Sequence, residues 1–363
     1  MTNIGAHAYA EGNAFLEIGM ISNLAELLGI GQHSGLSDMM RMSGVDEIYV
    51  TGGASDYDKT EALFFALSLW TGHPYVNAVQ EVICRLTGHC YSLAVASLPE
   101  IWQDVAKSLR ETQPTVSDLS RLFGIDRMTC LLTPAQFEKL PQREAIDDGI
   151  SLCLHISHAA LDVLWGKSVT RRITPHNALM DATEGMTAYL DTLAAHGCRG
   201  VAVSLAEEAR FVKPNPYTPA QAMLRLQKGE RLEDHERSLV LFQTLRLLGG
   251  ECLRRGWTLT LLDPQPQVST ALIPYLQTCR SLPTLVTVSD TPTVDALRSG
   301  GYVYHLPLCA HEASTSQKLR DLAARMPIGC LCGLYAPLQG VIDLPLWEGI
   351  GKMPDRLFGE DHL

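Results

Sequence analysis

The sequence predicts an α/β fold of parallel strands joined by helical crossovers, large enough to close as one barrel. Three observations lead there. From about Thr129 onward, short β-rich apolar runs alternate with segments of helical period, the pattern of repeated strand–helix–strand units. Most of those runs carry little polar content and no strict alternation, as strands covered on both faces do. The chain has 363 residues, more than a usual single core but within the range of barrels that fold as one domain.

The expected strands after the first third are Met128–Thr133, Ile150–Ser157, Gly200–Leu205, Thr258–Leu262, Thr284–Ser289, Tyr302–Leu306 and Ile328–Cys332. One joint recurs between them. Leu232–Arg255 reads as an amphipathic helix with Arg254 and Arg255 in its last turn, Gly256 as a left-handed cap and a strand directly after, which suits the negative helix end. Thr187–His196 with Gly197, and Leu119–Phe123 with Gly124, repeat that grammar. The first third differs: Ile48–Val50 reads as a short strand, Ser55 with Asp58 as a capping pair, and Asp56–Trp70 as a helix with Leu63, Phe64, Leu67 and Trp70 on one stripe. Residues 20–119 therefore form a helical insertion after an N-terminal strand, within a single domain spanning 1–363.

Composition narrows the function classes. Apolar residues make up 46% and charged residues 19% of the chain, enough for a core and unlike a disordered chain. The net charge of −11 repels phosphate backbones and anionic bilayers, so no nucleic-acid or membrane partner is expected. The ten cysteines are scattered, which reads as reduced thiols in a cytoplasmic protein. Met1–Gly12 does not resemble a secretion signal, so none is expected, and the uncharged stretch Ala62–Gln80 is broken by Gly72, His73, Pro74 and Asn77, too short before that break to span a bilayer. Searches for a nucleophile elbow, a His-Glu-x-x-His zinc helix and a paired Cys-x-x-Cys find nothing. Gly166-Lys167-Ser168 lacks the first glycine of a phosphate loop, where Leu161 stands.

One ordered set of phrases is specific. Gly44-Val-Asp-Glu-Ile-Tyr-Val-Thr-Gly-Gly-Ala-Ser-Asp56 with Lys59, then Gly72-His-Pro74 and Glu100-Ile-Trp-Gln103, resembles the inserted region of the uronate isomerases. Ala194-Ala-His-Gly-Cys-Arg199, Lys228-Gly-Glu-Arg-Leu232 with His235-Glu236, and Leu253-Arg-Arg-Gly-Trp257 are similar to that family's later helices. The resemblance spans about Gly5 to Leu334, and the family's C-terminal helices are largely missing after Pro337.

That resemblance implies a (β/α)₈ TIM barrel of the amidohydrolase superfamily. It also implies a divalent metal, zinc or manganese, and interconversion of D-glucuronate with D-fructuronate and of D-galacturonate with D-tagaturonate. The family's His-x-His strand aligns with His7-Ala8-Tyr9, which supplies the eighth strand and leaves His7 as the one matching metal ligand; Tyr9 stands in the second position. His33 matches a substrate-binding histidine, against the alternative of a surface loop residue. The family's Arg after strand three falls near Ser157–His158, its Asp-His near Leu205–Ala206, its fifth-strand His near Leu262, and its terminal Asp and Arg in Cys332-Gly333-Leu334-Tyr335.

Reacting groups of such barrels sit at the C-terminal strand ends, so Tyr9, His155, His305 and Asp290 are pocket candidates, the resemblance adds His33 as a substrate candidate, and no catalytic residue is assigned. His155 and His305 also read as hydrogen-bonded core histidines. Cys330 and Cys332 share a strand face, and Cys309 with His311 lies within reach of a soft-metal cluster; buried thiols are the plainer reading. Glu207 and Glu208 follow the fourth barrel strand, as replacement acid–base groups or a solvated turn. Two functions follow: a uronate isomerase with a degenerate metal site and weak or absent turnover, metal being expected to be lost, or a non-catalytic sugar-acid-binding or scaffold pseudoenzyme. A hexuronate or related sugar acid is the expected ligand, and a homo-oligomer the expected state.

Overall fold

The computed structural model describes residues 7–11, 21–125, 127–139, 150–157, 178–205, 210–213, 221–222, 224–225, 230–262, 266–289, 303–306, 317, 320–321, 337–338 and 341–351. Their strands are β1 (His7–Glu11), β2 (Arg127–Leu132), β3 (Ile150–Ser157), β4 (Cys198–Ser204), β5 (Thr258–Leu262), β6 (Thr284–Val288), β7 (Val303–Leu306) and β8 (Pro337–Leu338). They form one eight-stranded sheet in the order β7-β6-β5-β4-β3-β2-β1-β8, parallel at every pairing. Sequential parallel neighbours of this kind are the order of a (β/α)₈ barrel. The fold is α/β, as the alternating pattern predicts.

Six of the strands expected after the first third are present within two residues of their expected ends. The seventh, Ile328–Cys332, lies outside the described residues. The described strand beside β1 is β8, with Tyr9 opposite Pro337 and Ala10 opposite Leu338.

Between β1 and β2 the chain is helical: α1 (Leu24–Leu28), α2 (Ser34–Met42), α3 (Glu47–Val50), α4 (Asp56–Leu69), α5 (Pro74–Thr87), α6 (Leu98–Thr112) and α7 (Val116–Leu122). The Ser55 side chain accepts a hydrogen bond from the Asp58 N–H at 3.2 Å, as the capping pair predicts. Leu63, Phe64 and Leu67 are fully buried, and Trp70 completes the stripe while its Nε1 donates to Ser43 Oγ at 2.8 Å. Ile48–Val50 is not a strand. It lies in α3, where the Asp46 carboxylate accepts from the Ile48 N–H at 3.2 Å. Ile48 and Tyr49 stay 51% and 39% exposed, so the β-propensity of that run finds no sheet to join.

The barrel helices are α8 (Pro134–Lys139), α9 (Ala178–Ala195), α10 (Asp234–Arg255) and α11 (Pro266–Thr278), and α12 (Asp343–Gly351) follows β8. Gly124, Gly197 and Gly256 take φ of 68°, 87° and 66°, the left-handed caps that the repeated joint requires. Two buried layers follow from the strands. Leu131, Cys153, Ala202, Leu262, Val286 and Val288 pack together on one face. On the other face Ile156, Val203 and Leu261 join the larger cluster containing Leu190 and Leu193 of α9 and Leu245 and Leu248 of α10. The first layer is the barrel interior, and the second the strand–helix layer. No helix among the described residues is long and apolar enough to cross a membrane.

Candidate site at the barrel mouth

Strand register decides which residues can meet at the mouth, because side chains two apart share a face and paired residues of neighbouring parallel strands share a row. Leu131 is an interior residue, and its partner across the first ladder is Glu11; Tyr9 pairs with Thr129 and His7 with Arg127. His7, Tyr9 and Glu11 thus occupy one row along β1, in register with the interior face of β2, but His7 opens the strand opposite the first residue of β2 rather than ending it as expected from the sequence, and Glu11 is the one of the three at the C-terminal end. Glu11 was passed over in the sequence, although the His-x-Tyr-x-Glu spacing carries the signal.

His155 pairs with Ala202, an interior residue, and Ser157 with Ser204. His155 Nε2 lies 2.7 Å from Ser204 Oγ, a half-buried contact that links β3 to β4 near their C-terminal ends. Further along the interior wall Ser204 pairs with Leu262, and Leu262 with Val288. The described mouth is therefore polar on the β3–β4 side and apolar on the β5–β6 side.

His305 stands in a different row. It pairs with Thr287, which pairs with Leu261, which pairs with Val203, and Leu261 and Val203 belong to the strand–helix layer. The register thus separates His305 from the row of His155 and Ser204. Asp290 lies outside the described residues, as do Glu207, Glu208, Cys309, His311, Cys330 and Cys332.

His33 lies in the helical insertion, off the barrel strands. It is 2% exposed and caps α2, where its Nδ1 accepts from the Leu36 N–H at 3.3 Å. Its Nε2 lies 2.9 Å from Asp343 Oδ1 at the start of α12, and its ring meets Tyr75 edge-on at 5.4 Å. Both ring nitrogens are thus engaged by the fold.

A divalent ion with catalytic chemistry takes about three protein ligands and one open position. Among the described residues no group of three His, Cys, Asp or Glu side chains can hold an ion. The buried thiols nearest the wall are poor substitutes, because a ligating cysteine must be a thiolate. Burial raises the Cys153 thiol well above its ordinary range, with Cys198 and Cys252 close by adding to the effect, and burial alone pushes Cys130 up to about 12.

The comparisons with known proteins agree with this architecture. Residues 1–143 match the family model for glucuronate isomerase. The uronate isomerase of Pectobacterium carotovorum subsp. carotovorum (strain PC1) is 25% identical over 231 residues, which are 60% of this chain and 49% of the relative. That of Pectobacterium atrosepticum is 25% identical over 229 residues, with the same shares. The chain thus spans about half the length of the curated relatives it matches. In fold, it superposes on the crystal structure of uronate isomerase from Thermotoga maritima with a TM-score of 0.71 at 16% identity, covering 97% of this chain and 87% of the other. The chain is similar to the uronate isomerases, in sequence over 60% of its length and in barrel fold over 97% of it.

Proposed function

We propose that the barrel mouth binds a hexuronate or a related sugar acid and that metal-dependent isomerisation is weak or absent. The β1 row carries the proposal: His7 stands where the family has its first metal-binding histidine, and Tyr9, in register between Thr129 and Pro337, stands where it has the second. A phenol is a poor ligand for a divalent ion beside a single imidazole. Without a metal to polarise the carbonyl, proton movement between the two carbons of an aldose–ketose pair falls to side chains alone.

His155 is an interior group suited to move a proton, and Ser204 at 2.7 Å supplies a hydroxyl that hydrogen-bonds a sugar oxygen. The apolar side formed by Leu262 and Val288 suits the C–H face of a pyranose or an open-chain sugar. The second reading, a pseudoenzyme kept for ligand binding or assembly, shares that pocket and differs in turnover.

The test uses the purified full chain. Calorimetric titration with D-glucuronate and D-galacturonate measures binding, and an isomerisation assay follows both sugars with and without added zinc or manganese. Binding with no metal-stimulated turnover is the expected result. Stoichiometric metal with turnover would overturn it, and absence of both binding and turnover would favour a scaffold. Tyr9→His with Gly333→Asp is the complementary variant, with recovered metal binding expected if the site descends from an active one.

A further inference from the structure

Cys84 and Cys90 do not fit the pattern of the other described cysteines. Cys130, Cys153, Cys198 and Cys252 are free thiols sealed in the core and Cys279 is a half-buried free thiol, whereas Cys84 and Cys90 are joined as a disulfide across six positions. Cys84 is half-buried in the last turn of α5, and Cys90 is exposed. Between them Gly88, with φ of 75°, caps the helix by donating its N–H to the Cys84 carbonyl, and that turn brings the chain back over the helix end.

A bridge that closes so short a loop constrains the unfolded chain less than one across a long loop. α5 has another anchor in its buried face of Ala78, Val79, Val82 and Ile83. The bridge is therefore poorly placed as a staple, and its exposed sulfur is open to attack, as in labile and regulatory disulfides.

The position of Cys90 gives the bridge something to control. With Tyr91, Ser92 and Leu93 it forms one wall of a surface cavity of about 430 Å³, whose other wall includes Leu67 of α4 and Gln80 of α5. Two further ties hold that wall: Gln80 Nε2 donates to the Tyr91 carbonyl at 3.2 Å, and the Tyr91 hydroxyl donates to the Asp104 carboxylate on α6.

We propose that Cys84 and Cys90 form a reversible dithiol–disulfide pair that sets how tightly residues 88–93 close this cavity, with a small-molecule or protein dithiol as reductant. A reductant thiolate attacks the exposed Cys90 sulfur, forming a mixed disulfide and releasing the Cys84 thiolate, which takes up a proton. The second reductant thiol then attacks the reductant's own bridged sulfur and releases Cys90. Two electrons and two protons pass to the protein, and the dithiol ends as a disulfide.

The experiment uses the native full chain in graded mixtures of reduced and oxidised dithiothreitol, quenched with iodoacetamide and mapped by peptide mass, with amide exchange measured in the same mixtures. Cys84 and Cys90 are expected to gain label together while Cys130, Cys153, Cys198 and Cys252 stay unlabelled, and residues 88–93 to exchange about ten-fold faster in the reduced form. The double variant Cys84→Ser/Cys90→Ser is expected to show the fast exchange at every redox setting. A bridge that opens only when the whole protein unfolds, a pair that stays reduced in the oxidising mixtures, or an opened bridge with unchanged exchange would each overturn the proposal. A serine variant that cannot fold would do so as well, because it would make the bridge a structural requirement.

Discussion

His33 and Asp343, 310 positions apart, are joined in the protein interior by a 2.9 Å contact between Nε2 and Oδ1. Because Leu36 N–H donates to Nδ1, the proton sits on Nε2 and His33 donates to the carboxylate, a charge-assisted bond. A second tie runs parallel to it: Arg85 of α5 pairs with Glu348 of α12 at 2.7 Å and lies 4.6 Å over the Phe123 ring. The C-terminal helix is thereby clasped to the helical insertion, which begins just after β1, the strand that pairs with β8.

Removing either end of the clasp therefore costs stability, and the pattern across variants separates its two roles. Asp343→Ala strips a buried acceptor and is expected to lose about 2 kcal/mol. His33→Ala loses that bond and the α2 cap together, adding roughly 1 kcal/mol. His33→Asn keeps the cap but does not reach Asp343, and falls between the wild type and His33→Ala. Urea unfolding midpoints check the order; a His33→Asn variant as damaged as His33→Ala would show that the cap contributes nothing.

Acid sensitivity follows from three carboxylates held below their ordinary range. The Arg41 guanidinium, then the Thr51 hydroxyl, hold Glu47 down to about 2. The Thr115 backbone N–H and hydroxyl lower Asp118, and the Glu233 N–H followed by Arg225 lowers Glu236. A depressed folded-state pKa gives stability that is full above the unfolded value and lost as pH falls through the folded one. For Glu47 that window runs from 4.5 down to about 2. Circular dichroism against pH is expected to show a shallower acid loss in Glu47→Gln than in the wild type across that window.

How much of this was legible in the sequence depended on whether the signal was local. Gly124, Gly197 and Gly256 announced their caps because a left-handed residue has a composition signature. Ser55 and Asp58 did the same for α4. Ile48–Val50 misled because three β-formers outweigh one Asp46 cap until burial is known. His155 and His305 looked equivalent, since strands buried on both faces show no alternation to fix their facing; register alone separates them. The His33–Asp343 pair has no local signature at all: the surface-loop reading of His33 fails because the residue is buried, and its partner lies in a helix beyond the segment that resembles the family.

The described free thiols divide by burial, with a consequence for labelling. Burial pushes Cys198 up to about 11 against the opposing effect of backbone hydrogen bonding at Gly200 and Leu154, and raises Cys252 further, with Cys198 adding to it. At pH 8 a thiol titrating near 11 is thiolate in only about one molecule in a thousand, and the thiolate is the reactive form. A chromogenic disulfide reagent is expected to reach the half-buried Cys279 and to leave Cys130, Cys153, Cys198 and Cys252 untouched until denaturant is added. Prompt reaction of any of those four in the native protein would contradict the sealed core.

Neighbouring glycines of α10 give the sharpest packing test, because they are expected to respond to the same substitution with opposite signs. A Cβ on Gly249 would sit 2.3 Å from the Ser281 carbonyl oxygen, which is backbone, and 3.6 Å from Leu276 Cδ2. That contact fixes how closely α10 approaches the turn before β6, so Gly249→Ala forces the helix outward at a cost of about 1–3 kcal/mol. A Cβ on Gly250 meets only Ser281 Oγ, at 3.7 Å, an ordinary contact. There the gain in helix propensity is unopposed, and Gly250→Ala is expected to stabilise the protein by roughly 0.5–1 kcal/mol. Thermal unfolding of the two variants beside the wild type decides it. Two shifts of the same sign would mean that α10 does not pack on the Ser281 turn as closely as 2.3 Å implies.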